Sequence, residues 1–465
     1  MTDRTVRRPR HALAVLGLPF LMTILDGTSV LTALPAIEAD LGPGRIPAHW
    51  TVTAYALAFS GLLLCCGRVA DILGRRRMFR TGNALLAGSS LLCAMSPTAE
   101  ALVAARAFQG VAAAIIAPAA LSLLLAVFAE GPERNRALGV WGGLGGIGAT
   151  TGLLAGGALT KAFGWESVFL VNVPVGALVL VAAPLLLPES RGSARPRTFG
   201  AAGAVTLTAA MVALVYAIVE LPRAGWLSWH TAGPLVAAVV LGVLFRRLER
   251  RSAAPLVPAR VVRSRTVRGG NVVILCAGMA VDGMLITLTG YVQGMLGWSP
   301  LGFGLATAVM TVTSVAGTLT GQRLATAYGA RPVAAAGAAL AGLACAMLAW
   351  LPGRGSLPLL LCGLFLLGAG LGLAFVCAQI AAVTGVREED SGFAAGLVDT
   401  SFALGTALGI AVCTSVATAA APGGEPGYRA GFAAAAVFGL LGIAAALVVP
   451  RDRRAAPATE RASAG

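Results

Sequence analysis

Charge is scarce in this chain. Asp, Glu, Lys and Arg make up 12% of its 465 residues, about half the share of roughly 25% usual in soluble domains. That shortage argues against one or two ordinary globular domains. Lysine occurs once, as Lys161, and Ala162 follows it. The chain therefore has no phosphate-cradling loop ending in Gly-Lys-Ser/Thr and does not hydrolyse ATP through one. Histidine is equally thin: His11, His49 and His230 lie scattered at the edges of apolar runs. They show no metal-ligand spacing, so neither a metal nor a cofactor is expected. The eight cysteines (65, 66, 93, 276, 345, 362, 377 and 413) fall inside apolar runs and read as small buried residues without disulfides. No His, Cys or Ser constellation suggests an enzyme.

What is plentiful is apolar sequence, 57% of the chain. Runs of about 20 residues recur from end to end, separated by short polar, Gly- or Pro-containing connections. As a helix, each is long enough to cross a hydrocarbon core of about 30 Å. Short alternating strands are missing, which disfavours a membrane barrel. The runs predict an all-α polytopic membrane protein with fourteen spans, near 12–36, 47–66, 79–96, 100–128, 137–160, 167–187, 200–220, 231–245, 270–293, 302–321, 332–351, 357–380, 391–417 and 430–449.

Net charge +15 would suggest a nucleic-acid partner in a soluble protein, but its distribution says otherwise. Alternate connections on one side hold only Arg45, Lys161, Arg223, Arg354 and Arg429, and Arg106 falls inside a span. All other basic residues lie on the opposite side. This asymmetry is the positive-inside pattern and places both termini in the cytoplasm. The opening "MTDRTVRRPRHALAVLGLPF" imitates a signal peptide. Its apolar run continues well past the usual 7–15 residues and shows no cleavage site, so it reads as a retained first helix.

A weak internal repeat organises the chain. "GRVADILGRRR" (67–77) follows the second span and "QRLATAYGARP" (322–332) the tenth, aligning Ala70 with Ala325, Asp71 with Thr326, Gly74 with Gly329 and Arg76 with Arg331. Parallel six-span repeats are one known transporter design. The expected division is a cytoplasmic segment 1–11, a six-helix bundle 12–187, two linker helices 200–245, a basic cytoplasmic loop 246–269, a second six-helix bundle 270–449 and a polar, disordered tail 450–465.

Polar groups inside the spans carry the chemistry. A charged Asp at a helix centre costs about 2.5–3.5 kcal/mol on insertion scales. Asp26, in "LDGTSVLTALPAI" (25–37), sits in such a place. Taking a proton lowers that cost, so its charge can follow the side from which water enters, which is the physical requirement for coupling. A structural acid bonded to a neighbouring helix is the plainer reading. Arg106 is the other deep charge, with Gln109 one turn on along the same face, and it needs an acid or water as partner. Asp26 is a candidate. Asp282 and Asp399 interrupt later spans, and each reads as cavity lining or as a structural hydrogen-bonding acid. Gln109, Gln293 and Glu220 are further cavity candidates, Glu220 at the interface end of its span. Gly148, Gly152 and Gly156, with Gly157, put a bare face on the fifth span, for close packing or for a helix that rocks against its neighbour.

These motifs resemble the major facilitator superfamily, and within it the fourteen-span drug:proton antiporter branch, over nearly the whole chain. "GRVADILGRRRMF" is similar to the family's inner-loop motif through Gly67, Asp71, Gly74, Arg75 and Arg76. "LDGTSVLTALPAI" resembles the first-helix motif, with Asp26 and Pro35 in place, and "RAFQG" the fourth-helix motif through Arg106, Gln109 and Gly110. "GWESVFLVNVPVG" (164–176), "YVQGMLGWSPLGFGL" (291–305) and "GLVDTSFALGTALG" (396–409) extend the match. In the fifth-helix antiporter motif Leu153 stands in place of the proline, and Asp399 stands where the branch often has Asn. The resemblance implies two six-helix bundles plus two additional helices. It implies proton coupling through Asp26 and Arg106, with Asp282 and Asp399 as further acids, and a cytoplasmic gate in which Asp71 and the arginines pair with each other and with a facing helix end.

The expected function is export of a small, hydrophobic drug or antibiotic in exchange for protons, by a monomer in the lipid bilayer of a bacterial inner membrane. Arg far in excess of Lys, with abundant Ala and Gly, fits a GC-rich bacterial genome. The partners expected are the small-molecule substrate and protons, with no nucleic acid. One charge moving through 100 mV supplies about 2.3 kcal/mol. A proton-coupled transporter of one metabolite is the alternative, disfavoured by sparse mid-span polar residues. A membrane sensor or scaffold that moves nothing is a remoter one.

Overall fold

In hydrocarbon an unpaired backbone N–H or C=O costs several kcal/mol, so a long apolar run pairs its backbone within itself. The computed structural model describes residues 9–42, 50–188, 201–225, 228–252 and 255–450, and there the apolar runs are helical. The expected tail, most of the N-terminal segment, Arg45 and His49 lie outside the described residues.

The first bundle comprises α1 (Pro9–Leu41), α2 (Trp50–Leu73), α3 (Arg75–Ala94), α4 (Ala99–Val127), α5 (Pro132–Phe163) and α6 (Ser167–Leu186, interrupted at Val171). Two linker helices follow, α7 (Ala201–Ala224) and α8 (Trp229–Arg251), then a short helix Ala259–Arg263. The second bundle comprises α9 (Arg265–Thr289, continued by the π-turn Gly290–Met295), α10 (Pro300–Tyr328), α11 (Ala330–Leu348), α12 (Leu357–Val383), α13 (Ser391–Ala420) and α14 (Glu425–Val448).

Among the described residues, thirteen helices are long and apolar enough to cross a membrane, against fourteen spans expected. The difference is α3, where Arg75, Arg76, Arg77 and Arg80 in the first two turns lower the hydropathy. Its place between α2 and α4, packed against α4 and α6, makes it the fourteenth by position. Most helices run several residues beyond the expected spans, because capping outside the apolar run prolongs them. Ser264 accepts a hydrogen bond from Val267 N at 3.4 Å and starts α9 at Arg265, not at 270. Asp282 keeps its place near the middle of the span Arg265–Met295.

The two bundles repeat one packing scheme. Within the first, α1 packs on α5, α2 and α3 on α4, and α3 on α6; within the second, α9 packs on α13, α10 and α11 on α12, and α11 on α14. The sequence repeat falls on matching turns: Gly74 (φ 100°) precedes α3 and Gly329 (φ 87°) precedes α11. Both values lie where L side chains rarely sit. The bundles meet along two equivalent seams, α2 with α13 and α5 with α10.

Linker helix α7 lies along one seam. Its Val212 packs at Gly61 of α2, while Ile218 and Leu221 pack with Ala411 of α13. α8 has few buried residues, Thr231 and Ala238. Its Val236, Val239 and Val240 are exposed, as befits a surface facing lipid rather than water.

Candidate functional site

The first-bundle cluster grows from five helices. Asp26 on α1 and Arg106 on α4 are both fully buried, and Arg106 Nη1 donates to Asp26 Oδ2 at 2.5 Å. The other carboxylate oxygen, Oδ1, accepts from Gln109 Nε2 and Asn172 Nδ2, each at 3.0 Å. Gln109 is one helical turn beyond Arg106, and its Oε1 accepts from the same Nη1 at 2.6 Å. Ser90 Oγ on α3 accepts from Gln109 at 2.8 Å and from Asn172 at 3.2 Å. Arg106 Nε donates to the Thr51 carbonyl of α2 at 3.0 Å. Its guanidinium lies over the Tyr55 ring, 4.3 Å from the centroid. The charge is thus balanced by one carboxylate, one carbonyl and an aromatic face, the company a buried guanidinium requires.

Local sequence explains the convergence. Gly110 lets α2 and α4 touch, since a Cβ there would meet the Tyr55 carbonyl oxygen at 2.5 Å. On α5, a Cβ at Gly148 would meet Leu21 at 3.1 Å, and at Gly152 the Leu25 carbonyl oxygen at 2.7 Å. At Gly156 it would meet Ser29 Cα at 2.7 Å. These three glycines hold α1 against α5 beside Asp26. Gly157 points to open space and takes no part in that contact. Gly139, Gly142 and Gly146 instead face Gln322, Thr318 and Thr311 or Ser314 of α10 across the seam.

The second constellation lies at the arginine-rich ends of the helices. Asp71 of α2 accepts from the Gly392 and Phe393 amides, which open α13, both at 2.9 Å. Arg75 Nε lies 3.5 Å from Asp71, and Arg75 Nη1 is 3.4 Å from Glu388. Gly67 permits this approach, its position being filled by the Gly392 carbonyl. For Arg76 the described bond runs to the Leu187 carbonyl at 3.1 Å, at the end of α6 in its own bundle. The equivalent seam is milder, with Asn135 Nδ2 donating to Thr326 Oγ1 at 3.0 Å where the first repeat has Asp71.

Asp282 and Asp399 join neither cluster. Asp282 Oδ2 accepts from Thr406 Oγ1 of α13 at 2.7 Å. Asp399, on α13, has a shielded Oδ2 with no hydrogen-bond partner among the described residues. Gln293 is half-buried on the π-turn after α9, and Glu220 is half-buried near the end of α7; both are remote in sequence position from the Asp26 cluster and neither appears among its bonds.

Sequence reading missed Asn172, Ser90 and Tyr55 in the cluster, and Arg68, Arg260, Glu388 and Asp390 at the gate. Asn172 carried a signal, as an amide inside the apolar run of α6. The acidic "EED" at 388–390 stood out against an otherwise basic face. Arg68 lies 3.4 Å from Asp390, and Arg260, from the short linker helix, bonds both Asp390 and Glu389.

The model of the Major Facilitator Superfamily matches residues 16–293 and 270–464. Multidrug resistance protein Stp of Mycobacterium tuberculosis is 35% identical over 395 residues, covering 84% of this chain and 72% of that protein. Puromycin resistance protein pur8 of Streptomyces alboniger is 38% identical over 392 residues, covering 83% and 77%. Among solved structures, that of the human organic anion transporter MFSD10 superposes with a TM-score of 0.69 at 19% identity, over 95% of this chain and 99% of that one. This last likeness is one of fold.

Proposed function

Since the chain belongs to the major facilitator superfamily, we propose that it exports small apolar drugs or antibiotics from the cytoplasm in exchange for protons. Relatives named for multidrug, puromycin and cephamycin resistance or export support the substrate class. The arginine-rich face is then cytoplasmic, the membrane is the inner membrane of a bacterium, and the two bundles are the moving bodies.

The observation that carries proton coupling is the buried Asp26–Arg106 pair. A proton arriving at Asp26 cancels the carboxylate that balances Arg106 and weakens the bonds from Gln109 and Asn172. These three partners come from α4 and α6, so loading the proton loosens α1 from both. Losing the proton restores the pair. Meanwhile Asp71 and Arg68 of α2, with Arg75 at the start of α3, tie this corner to the start of α13 and close the cytoplasmic side. Opening toward the cytoplasm must break those bonds, and substrate and proton exchange on opposite openings.

The test uses inverted membrane vesicles carrying the chain. Asp26→Asn is expected to abolish pH-driven uptake of a drug probe while the protein still inserts and keeps its monodisperse profile in detergent. Undiminished pH-driven uptake would remove Asp26 from the coupling step.

A further inference from the structure

At the arginine-rich end, the corner where α4 turns into α5 lies opposite the corner where α12 gives way to α13. Between them runs an open cleft of about 310 Å³. One wall is the end of α4 and the turn after it, with Arg134 of α5, all from the first bundle. The other is Val383, Val386, Glu388 and Ser391 of the second. None of these residues belongs to the Asp26 cluster.

Two polar groups in the cleft are incomplete. Arg134 is half-buried. Its Nε donates to the Phe128 carbonyl at 2.9 Å and its Nη2 to the Leu125 carbonyl at 3.0 Å. Those bonds fix the guanidinium against the end of α4, yet Nη1 has no described bond and no carboxylate pairs with Arg134 among the described residues. The nearby acids are committed elsewhere. Glu130 accepts from the Gly385 amide at 3.4 Å, while Glu388 and Asp390 pair with Arg75 and Arg68, each at 3.4 Å. On the opposite wall Ser391, the first residue of α13, is only 4% exposed, and its Oγ has no hydrogen-bond partner among the described residues. A buried hydroxyl ordinarily finds a partner, and a guanidinium drawn out of bulk water calls for an anion. Val127, Phe128, Val383 and Val386 supply an apolar lining around both groups.

We infer that this cleft binds a small organic anion, its phosphate or carboxylate head between Arg134 and Ser391 and its apolar body against the valines and Phe128. A fixed guanidinium with a nitrogen to spare and a hydroxyl able to donate suit an oxyanion. At the roughly 30 Å³ a water molecule occupies in the liquid, the cleft takes on the order of ten non-hydrogen atoms. That is enough for a ring or a short chain and too little for a diacyl lipid. Its walls belong to both bundles, and Ser391 adjoins Gly392, whose amide bonds Asp71. An occupant therefore bridges the bundles beside the gate and favours the arrangement in which they meet. The inference goes beyond export and does not depend on it.

The experiment is calorimetric titration of the purified full-length protein in a non-ionic detergent. Phenyl phosphate is the probe, with phenol as the body without the charge and inorganic phosphate as the head alone. Phenyl phosphate is expected to bind saturably, and each control at least about tenfold more weakly, in line with loss of a charge contact or of apolar burial. Ser391→Ala gives up no hydrogen bond within the protein and should weaken phenyl phosphate about three- to tenfold, the worth of one hydrogen bond. Ser391→Asp sets a carboxylate in the cleft, at a helix start that tolerates acids, and should reduce binding to the level of phenol. Arg134→Gln should lose at least about tenfold; since Arg134 also holds the end of α4, the two Ser391 variants decide the matter if that variant fails to fold. No saturable binding by the unsubstituted protein, phenol binding as tightly as phenyl phosphate, or unchanged affinity in Ser391→Asp would each overturn the assignment.

Discussion

Asp26 and Arg106 each bury a full charge, and each is tolerable only because of the other. Removing one member of a buried pair costs about 3–5 kcal/mol, because the survivor stays buried and unbalanced. Arg106→Ala is thus expected to lower the thermal unfolding temperature in detergent far more than loss of one hydrogen bond. Arg106→Lys should fall between the two, since an ammonium keeps the charge but cannot bond Asp26, Gln109 and the Thr51 carbonyl together as the guanidinium fork does. Equal stability of the Ala and Lys variants would argue that the pair contributes no charge balance. Gln109→Leu leaves Asp26 with one neutral donor fewer, a loss of about 1–3 kcal/mol for a buried acceptor, read by the same melting experiment. At this scale Asp26, Arg106 and Gln109 were legible in the sequence, because each is a polar residue inside an apolar run. Ser90 and Tyr55 were not, since a serine or tyrosine in a helix has many uses and only its neighbours show which applies.

Among the elements, α5 carries two bare faces. Gly148, Gly152 and Gly156 meet α1, whereas Gly139, Gly142 and Gly146 meet α10 in the other bundle. The first face fixes Asp26 inside its bundle; the second forms the seam with the other bundle. Gly152→Ala would drive a Cβ to 2.7 Å from the Leu25 carbonyl oxygen and 3.0 Å from Leu25 Cα. Overpacking of this kind costs about 1–3 kcal/mol. Gly157→Ala meets nothing within 4 Å and replaces a flexible residue in a helix, a gain of up to about 1 kcal/mol. Opposite shifts in melting temperature are expected for these two variants, and shifts of equal size and sign would disprove the packing argument. The glycine spacing was readable in advance, but which partner each face meets was not. The fourteenth span shows the converse: α3 was expected from its apolar run at 79–96, although its four arginines make the helix too polar to qualify by hydropathy alone.

At the scale of the whole molecule, the described ion pairs between the bundles lie at the arginine-rich ends, through Arg68, Arg75, Glu388 and Asp390. Asp71 adds two backbone amides at the start of α13, where the helix dipole also favours a negative charge. Asp71→Asn keeps the size of the side chain but removes that charge. The expected result is a larger population with the arginine-rich ends apart, measured as a longer distance between spin labels at Arg77 and Arg387, both exposed. A shift of about tenfold in population corresponds to about 1.4 kcal/mol. An unchanged distance distribution would mean that Asp71 does not hold the gate.

The sequence by itself determined the membrane class, the all-helical fold and the identity of the deep charges, and it set the expectation of a six-plus-two-plus-six plan. Those follow from hydrophobic length, loop charge and a repeated motif, all of which are properties of contiguous residues. The tertiary structure alone decided which charges meet. It joined Asp26 to Arg106, Gln109 and Asn172 across up to 146 positions, sent Arg76 to the end of α6, brought Arg260 from the linker onto Asp390, and left Asp399 without a counter-ion among the described residues. Pairings over such separations depend on how helices are rotated and how closely they approach. In this chain that is set by glycines on α2, α4, α5 and α13, whose partners no local pattern names.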